Sequence, residues 1–321
     1  MRYIFLAGFS LLIGWQADAA RAQTWPTRAV HWVVPFAAGG VGDVFARSIA
    51  PKLAEAWGQP VIVENRAGAN SIIGADVVAK SAPDGYTILM AIDSTLAMNQ
   101  YLYAKLPFDP LRDFAPIGLI GWGPVILETD AARGPKSVRE LIELARANPG
   151  KLNFGAGTIS TQLAGELFNK LAGVRITYIP YKGSAPVTQG LLAGDVEVTF
   201  NGVTPGVPHV RSGRLRALAA LSAQRIAAHP EVPTLAELGF PGFDVSVWMG
   251  LVAPAGTPPE VIARIHRTVA GTLAAKDLQE RMAAAGIVAG SSGSPAEFDA
   301  FVRREAAKWG PLIRELGLKL Q

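Results

Sequence analysis

From Val30 onward the chain alternates short β-branched runs with amphipathic stretches, and this alternation restricts the fold more than any other feature. A strand that passes into a helix and returns alongside itself is a βαβ unit, so a series of them demands a mostly parallel sheet covered by helices. Val30 to Phe36 reads as the first strand. A helix over Asp43 to Trp57 follows, because Val41, Phe45, Ile49, Leu53 and Trp57 recur at four-residue steps. Pro51 inside it predicts a kink. Strand Pro60 to Glu64, helix Ser71 to Lys80 and strand Tyr86 to Ile92 continue the pattern, the last entered through the Pro83-Asp84-Gly85 turn.

Two short strands, Ala115 to Ile120 and Pro124 to Glu128, are expected on either side of Gly121-Trp122-Gly123, which reads as a crossing between two α/β units. A second set follows: helices 138–147, 161–171 and 186–193, with strands 152–155, 175–180, 196–200 and 215–221. Phe243 to Ala253 is extended and can carry the chain back, and 258–274, 278–285 and 295–316 are amphipathic helices. Gly290 to Ser294 reads as a flexible turn. The expected fold is α/β: a two-lobe periplasmic-binding-protein (Venus flytrap, type II) arrangement with two interdomain crossings and hinge closure around a ligand. The first lobe is expected to hold 23–122 plus 248–321, and the second 123–247.

Residues 1–22 are expected to be a secretory leader. Met1 and Arg2 give a positive start, Tyr3 to Trp15 carries no charge, and Ala20-Arg21-Ala22 offers a cleavage site before Gln23. Ala17-Asp18-Ala19 offers a second site. The apolar run is shorter than the roughly 20 residues a membrane span needs. Removal of the leader leaves 299 residues, enough for two cores, and predicts a periplasmic location. Loss of Arg2, Arg21 and Asp18 leaves 28 basic against 25 acidic side chains, a net of +3 without a basic run. Nucleic acid is therefore not an expected partner despite the basic isoelectric point. With no cysteine there is no disulfide, thiolate metal site or thiol nucleophile.

Ligands of open α/β sheets lie beyond the carboxyl ends of the strands, where helix starts present unpaired N–H groups. Three segments suit that place. Phe36-Ala37-Ala38-Gly39-Gly40 follows the first strand, with Asp43 placed to cap the next helix. Ser94-Thr95 follows Ile92, and its hydroxyls suit capping or ligand contact. Thr158-Ile159-Ser160-Thr161, preceded by Gly155-Ala156-Gly157, joins a strand to a helix and suits an anion. Phe36, Tyr181 and Trp248 are candidates either to line a cleft or to fill a core.

Several ordered motifs resemble the solute receptors of tripartite tricarboxylate transporters, the Bug family. They are Trp25-Pro26, Val33 to Gly40 with Asp43, Val63 to Ala69, Pro83 to Thr87, Leu163 to Phe168, Pro180 to Gly183 and Leu251 to Pro258. The resemblance implies a periplasmic receptor that captures a small carboxylate (a di- or tricarboxylate, an acidic amino acid or an aromatic acid) and delivers it to membrane transporter subunits. It implies that Phe36 to Gly40 holds one carboxylate through backbone amides and waters, and that Thr158 to Thr161 meets the other end of the ligand. Tyr181, Ser184 and Asn201 join the expected binding residues. Gln162 stands where the family often has histidine, and Asn201 where it often has aspartate. A monomer is expected, with no cofactor or metal.

An enzyme is the main rival. Gly40-Val41-Gly42 begins a dinucleotide motif and Glu64 lies at a suitable distance, but Phe45 stands at the third glycine position, where close helix–strand contact excludes bulk. No G-x-S-x-G elbow and no H-E-x-x-H occurs, and His31, His209, His229 and His266 show no metal spacing. Asp93 and Asp195 read as turn residues rather than a catalytic pair. A receptor that signals to a membrane sensor instead of feeding transport fits the same features.

Overall fold

The computed structural model describes residues 25–320. The expected leader lies outside them. β1 (Val30–Val34) leads into α1 (Val41–Trp57), β2 (Val61–Asn65), α2 (Ile72–Ala79) and β3 (Thr87–Ile92). A π-helical turn over Ser94–Met98 then runs into the short α3 (Asn99–Leu102), an element absent from the periodicity because both are single turns. β1 pairs in parallel with β2 and β3, as βαβ units require. α1 runs unbroken through Pro51, which lies on its exposed face, and buries Phe45, Ile49, Leu53 and Trp57.

β4 (Phe114–Asp130) corrects the two-strand expectation. It is one 17-residue strand, and the glycines bend it instead of ending it. A register shift falls between Leu119 and Gly121. Gly121 has φ +156°, and a Cβ there would stand 2.5 Å from the Val288 carbonyl oxygen. A glycine is thus required where β10 (Val288–Ala289) pairs with Gly121 and Trp122. β10 also occupies part of the stretch next to Gly290 to Ser294.

The second set begins with α4 (Val138–Ala147), β5 (Asn153–Ala156), α5 (Ile159–Ala172), β6 (Thr177–Pro180) and α6 (Ser184–Ala193). β7 (Val198–Gly202), α7 (Val207–Arg211) and β8 (Leu215–Ala220) complete it. β5 lies parallel between β6 and β7, while the far half of β4 is flanked by β7 and β8, both antiparallel. β9 (Ser246–Pro254) returns antiparallel between β3 and the near half of β4. α8 (Pro259–Leu273), α9 (Lys276–Ala284) and α10 (Pro295–Glu315) close the chain.

The strand order is β2-β1-β3-β9-β4-β7-β5-β6. It is a two-lobed α/β fold in which β4 and β9 form the bridge. Each half has its own core: Trp32, Phe45 and Ile88 in the first, Phe154, Phe168 and Phe200 in the second. α10 spans both, packing Phe298 and Val302 against the first lobe and Trp309 and Ile313 against the second. No helix among the described residues is long and apolar enough to cross a membrane.

Candidate ligand-binding site

Three helix starts meet over the bridge. Phe36, Gly40, Val41 and Gly42 of the β1–α1 turn, Thr158 and Thr161 of α5, and Gly183 and Ser184 of α6 surround one cavity. Its floor is Ile92, Gly123, Gly202, Val247 and Met249, and it opens to solvent. The loops that carry the helix starts touch across the cleft. A Cβ on Gly39 would lie 3.8 Å from the Ala185 Cβ, and one on Gly183 would lie 3.8 Å from the Ala37 nitrogen. A Cβ on Gly157 would stand 2.5 Å from the Gly183 carbonyl, so that position admits only glycine.

The first turn of a helix has amides without an in-helix acceptor. At α1 these belong to Val41 and Gly42, at α5 to Ile159 and Ser160, and at α6 to Ser184 and Ala185; Pro186 contributes none. Among the described residues no lysine, arginine or histidine lines the cavity. The site therefore offers an anion partial positive charge from three helix axes and several amide donors.

Asp43 does not cap α1 in the expected way. Gly40 occupies the N-cap without a side-chain bond, and the buried Asp43 carboxylate turns away from the cavity. It accepts from the Gly39 amide (2.9 Å), from Arg47 Nε (2.9 Å) and from Asn65 Nδ2 (3.0 Å). Asn65 Nδ2 also donates to the Phe36 carbonyl (3.1 Å), so β2 fixes the glycine loop from behind. Asn65 is missing from the residues expected at the site; its place in the motif Val63 to Ala69 is the only signal the sequence offers for it.

α5 is closed locally. Thr158 Oγ1 accepts from the Thr161 amide, and Thr161 Oγ1 accepts from the Thr158 amide (3.1 Å). Both hydroxyl oxygens thus accept within the cap, and Thr161 Oγ1 also donates to the Thr158 carbonyl (2.9 Å). Ile159 is core, and Ser160 is buried, its hydroxyl 3.9 Å from the Met98 sulfur. Ser184 Oγ, by contrast, lines the cavity without a hydrogen-bonding partner among the described residues.

Other expected site residues serve the scaffold. Asn201 is buried; its Nδ2 donates to the Ser184 carbonyl (3.1 Å) and Thr188 Oγ1 (3.0 Å), anchoring the start of α6. Ser94 and Thr95 are buried beneath the site. Thr95 Oγ1 bonds Ser71 Oγ (2.8 Å), and Asn99 Nδ2 donates to the Asn70 carbonyl (2.9 Å). These bonds hold Ala69, Asn70 and Ser71 at positive φ, a conformation that side chains disfavour. That strained segment borders an outer vestibule with Phe36, Tyr181, Lys182 and Gly183. Ala38 and Gly39 are exposed at the same side. Trp248 is core, against Phe298 and Phe301, with Nε1 donating to Glu305.

Asp93 is more than a turn residue. It caps the π-helical turn through the Ser94 amide (2.7 Å) and is fully buried. Burial pushes its carboxyl up to about 7, against the opposing effects of the Ser160 hydroxyl and the Ser94 amide. Glu305 adds to the rise and Lys308 opposes it. Among the described residues no cluster of three metal-ligating side chains occurs.

The profile of the tripartite tricarboxylate transporter family receptors matches residues 45–318. Protein BugT of Bordetella pertussis is 38% identical over 323 residues, covering 100% of this chain and 99% of BugT. A Rhodopseudomonas palustris protein, Rpa4515, solved with adipate, superposes with a TM-score of 0.88 at 35% identity over 92% of this chain and 99% of its own. MatC of Rhodopseudomonas palustris, solved with bound malate, gives 0.84 at 32% identity over 90% and 100%. Periplasmic binding protein BugD gives 0.86 at 33% identity over 92% and 100%. The glycine-rich helix starts that enclose the cavity lie in a chain that belongs to the Bug-type receptors of tripartite tricarboxylate transporters, a family of solute-binding proteins and not of enzymes.

Proposed function

We propose that this chain is a periplasmic receptor that captures a small carboxylate between its lobes and delivers it to the membrane subunits of a tripartite tricarboxylate transporter. The observation that carries this reading is the convergence of three helix starts on one cation-free cavity. Several amide hydrogen bonds to a charged group, each about 1.5–3 kcal/mol net, can together reach micromolar affinity, about −8.2 kcal/mol. Adipate and malate bound to relatives of the same family support the ligand class. The binding residues are the backbone of Phe36 to Gly42, the first turns of α5 and α6, and the Ser184 hydroxyl. The lobes divide at the β4–β9 bridge near 122/123 and 247/248, the leader is removed before Gln23, and the mature receptor acts as a monomer without turning its ligand over.

A thermal-shift screen of the mature chain over a carboxylate panel tests the reading. A ligand at about 100 times its Kd stabilises the native state by about 2.7 kcal/mol. The ligand should be recovered unchanged by chromatography, and deletion of the chain should abolish its uptake. A new product would instead make the protein an enzyme.

A further inference from the structure

The β4–β9 bridge has two faces. Gly123 and Val247 are cross-strand partners that face the cavity, and successive residues of a strand point to opposite sides. Trp122, Pro124 and Ser246 therefore face away from the cavity, and they line a second groove behind the bridge. Both lobes wall this groove: Ala223, Ile226 and Ala227 stand on the second, Gln279 and Ala283, one turn apart on α9, on the first. The walls meet at Gly286. A Cβ there would stand 2.4 Å from Val203 Cγ1 and 3.6 Å from the Ala228 Cβ. Val203 follows Gly202 of the cavity floor, and its amide bonds the Pro124 carbonyl (3.1 Å). Among the described residues no hydrogen bond or ion pair joins 222–228 to 276–289. Arg225 is engaged by Glu237, and Asp244 by the Ala223 amide, all on the second lobe.

Cleft and groove lie on opposite sides of a bridge of two strands, so a rotation of the lobes that widens one narrows the other. In front the loops of the two lobes already meet, Gly39 near Ala185 and Gly183 near Ala37, while the rear groove stands open. We propose that this groove is the stop of the hinge. As the cleft opens, α9 swings onto the 222–228 segment about the Gly286–Val203 contact, and the room between the two walls fixes how far the empty receptor opens. No polar bond forms or breaks across the groove, so packing alone halts the motion. Shutting it buries Ile226 and Ala283 further from water, which favours the open form. Closure around a ligand must offset that gain, and apparent affinity follows the fraction of receptor that is closed. The groove thus sets affinity from behind the site, whatever ligand the cleft takes.

Lobe separation in the mature, ligand-free chain tests this. The chain has no cysteine, so Glu55→Cys and Gln189→Cys, at exposed positions on α1 and α6, take spin labels for double electron–electron resonance. Ala283→Trp and Ala223→Trp each fill the groove, one from either wall, and neither position lines the cavity. In variants shown folded by circular dichroism, each should shift the label separation of the empty chain to the shorter, closed value. A folded variant whose separation stays at the parent's value or lengthens overturns the stop. Where a tryptophan variant does not fold, leucine at the same position takes its place. No ligand is added, so a carboxylate panel that found no binder would count against the receptor reading and leave this result standing.

Discussion

The starts of α1 and α5 face one cavity and present the same groups, yet they are built in opposite ways. α5 is closed by its own sequence. Thr158 and Thr161 exchange side-chain and backbone bonds three residues apart, and the motif would form wherever the helix began. α1 has no such cap. Its Gly40 N-cap offers no side chain, and Gly39 adopts φ +79°, so the turn is held by Asp43 returning from inside the helix and by Asn65 from β2. One start is therefore a local structure and the other a tertiary one. A locally closed helix start survives loss of its neighbours, whereas a start held from behind depends on the sheet.

Substitution on the tertiary side should have the largest effect. Gly39→Val puts a β-branched residue at positive φ and aims its methyls at Ala185 across the cleft. Strain of about 1–3 kcal/mol plus obstructed closure should weaken ligand binding on the order of 100-fold by calorimetry. An affinity within a few-fold of the parent would mean that the glycine loop does not hold the ligand. Asp43→Ala leaves the Gly39 amide and Asn65 without their acceptor and should cost about 2–3 kcal/mol in urea unfolding. A loss no larger than that of a local cap would erase the contrast between the two starts.

The contact between the lobes adds a pH signature beside α5. Asp93 sits against Ser160 with its carboxyl at about 7, above the usual 3.8, so the native state holds the proton longer than the unfolded chain. This contribution is complete below about pH 3.8, is lost as pH rises through 7 and is flat above. Its slope reaches about 1.4 kcal/mol per pH unit. Asp93→Asn should flatten that part of the stability–pH curve measured by denaturant unfolding; an unchanged curve would assign the titration elsewhere. Thr158→Ala removes only the local cap and should cost about 1 kcal/mol with a few-fold loss of affinity. Lys182→Ala should do least. Lys182 is exposed in the outer vestibule, so binding should change by less than about threefold, and abolished binding would show that a side-chain cation, not the backbone, holds the anion.

Much of this architecture is legible in the residues alone. The four-residue apolar steps of α1 and the β-branched runs report strand and helix directly, because burial on one face writes its period into the residues. The glycine-rich turn after β1 and the hydroxyl-rich turn before α5 are visible as helix starts. Asn65, the continuity of β4 and the duties of Thr95 and Asn201 are not. A side chain that bonds backbone 29 residues away, as Asn65 does to Phe36, leaves no local pattern. Glycines at 121 and 123 look like a break when read along one strand, and as a bend once β10 lies against them.

By itself, then, the sequence determined the βαβ alternation, the two sets of elements and the presence of amide-rich helix starts, since each follows from spacing within a dozen residues. Tertiary structure alone decided that three of those starts line one cavity, that Asp43 and Asn201 commit their polar atoms to the scaffold, and that Ile92, Val247 and Met249 become its floor. These depend on strands brought together by the β4–β9 bridge, and the register between distant strands is set by packing over the whole sheet rather than by any one segment.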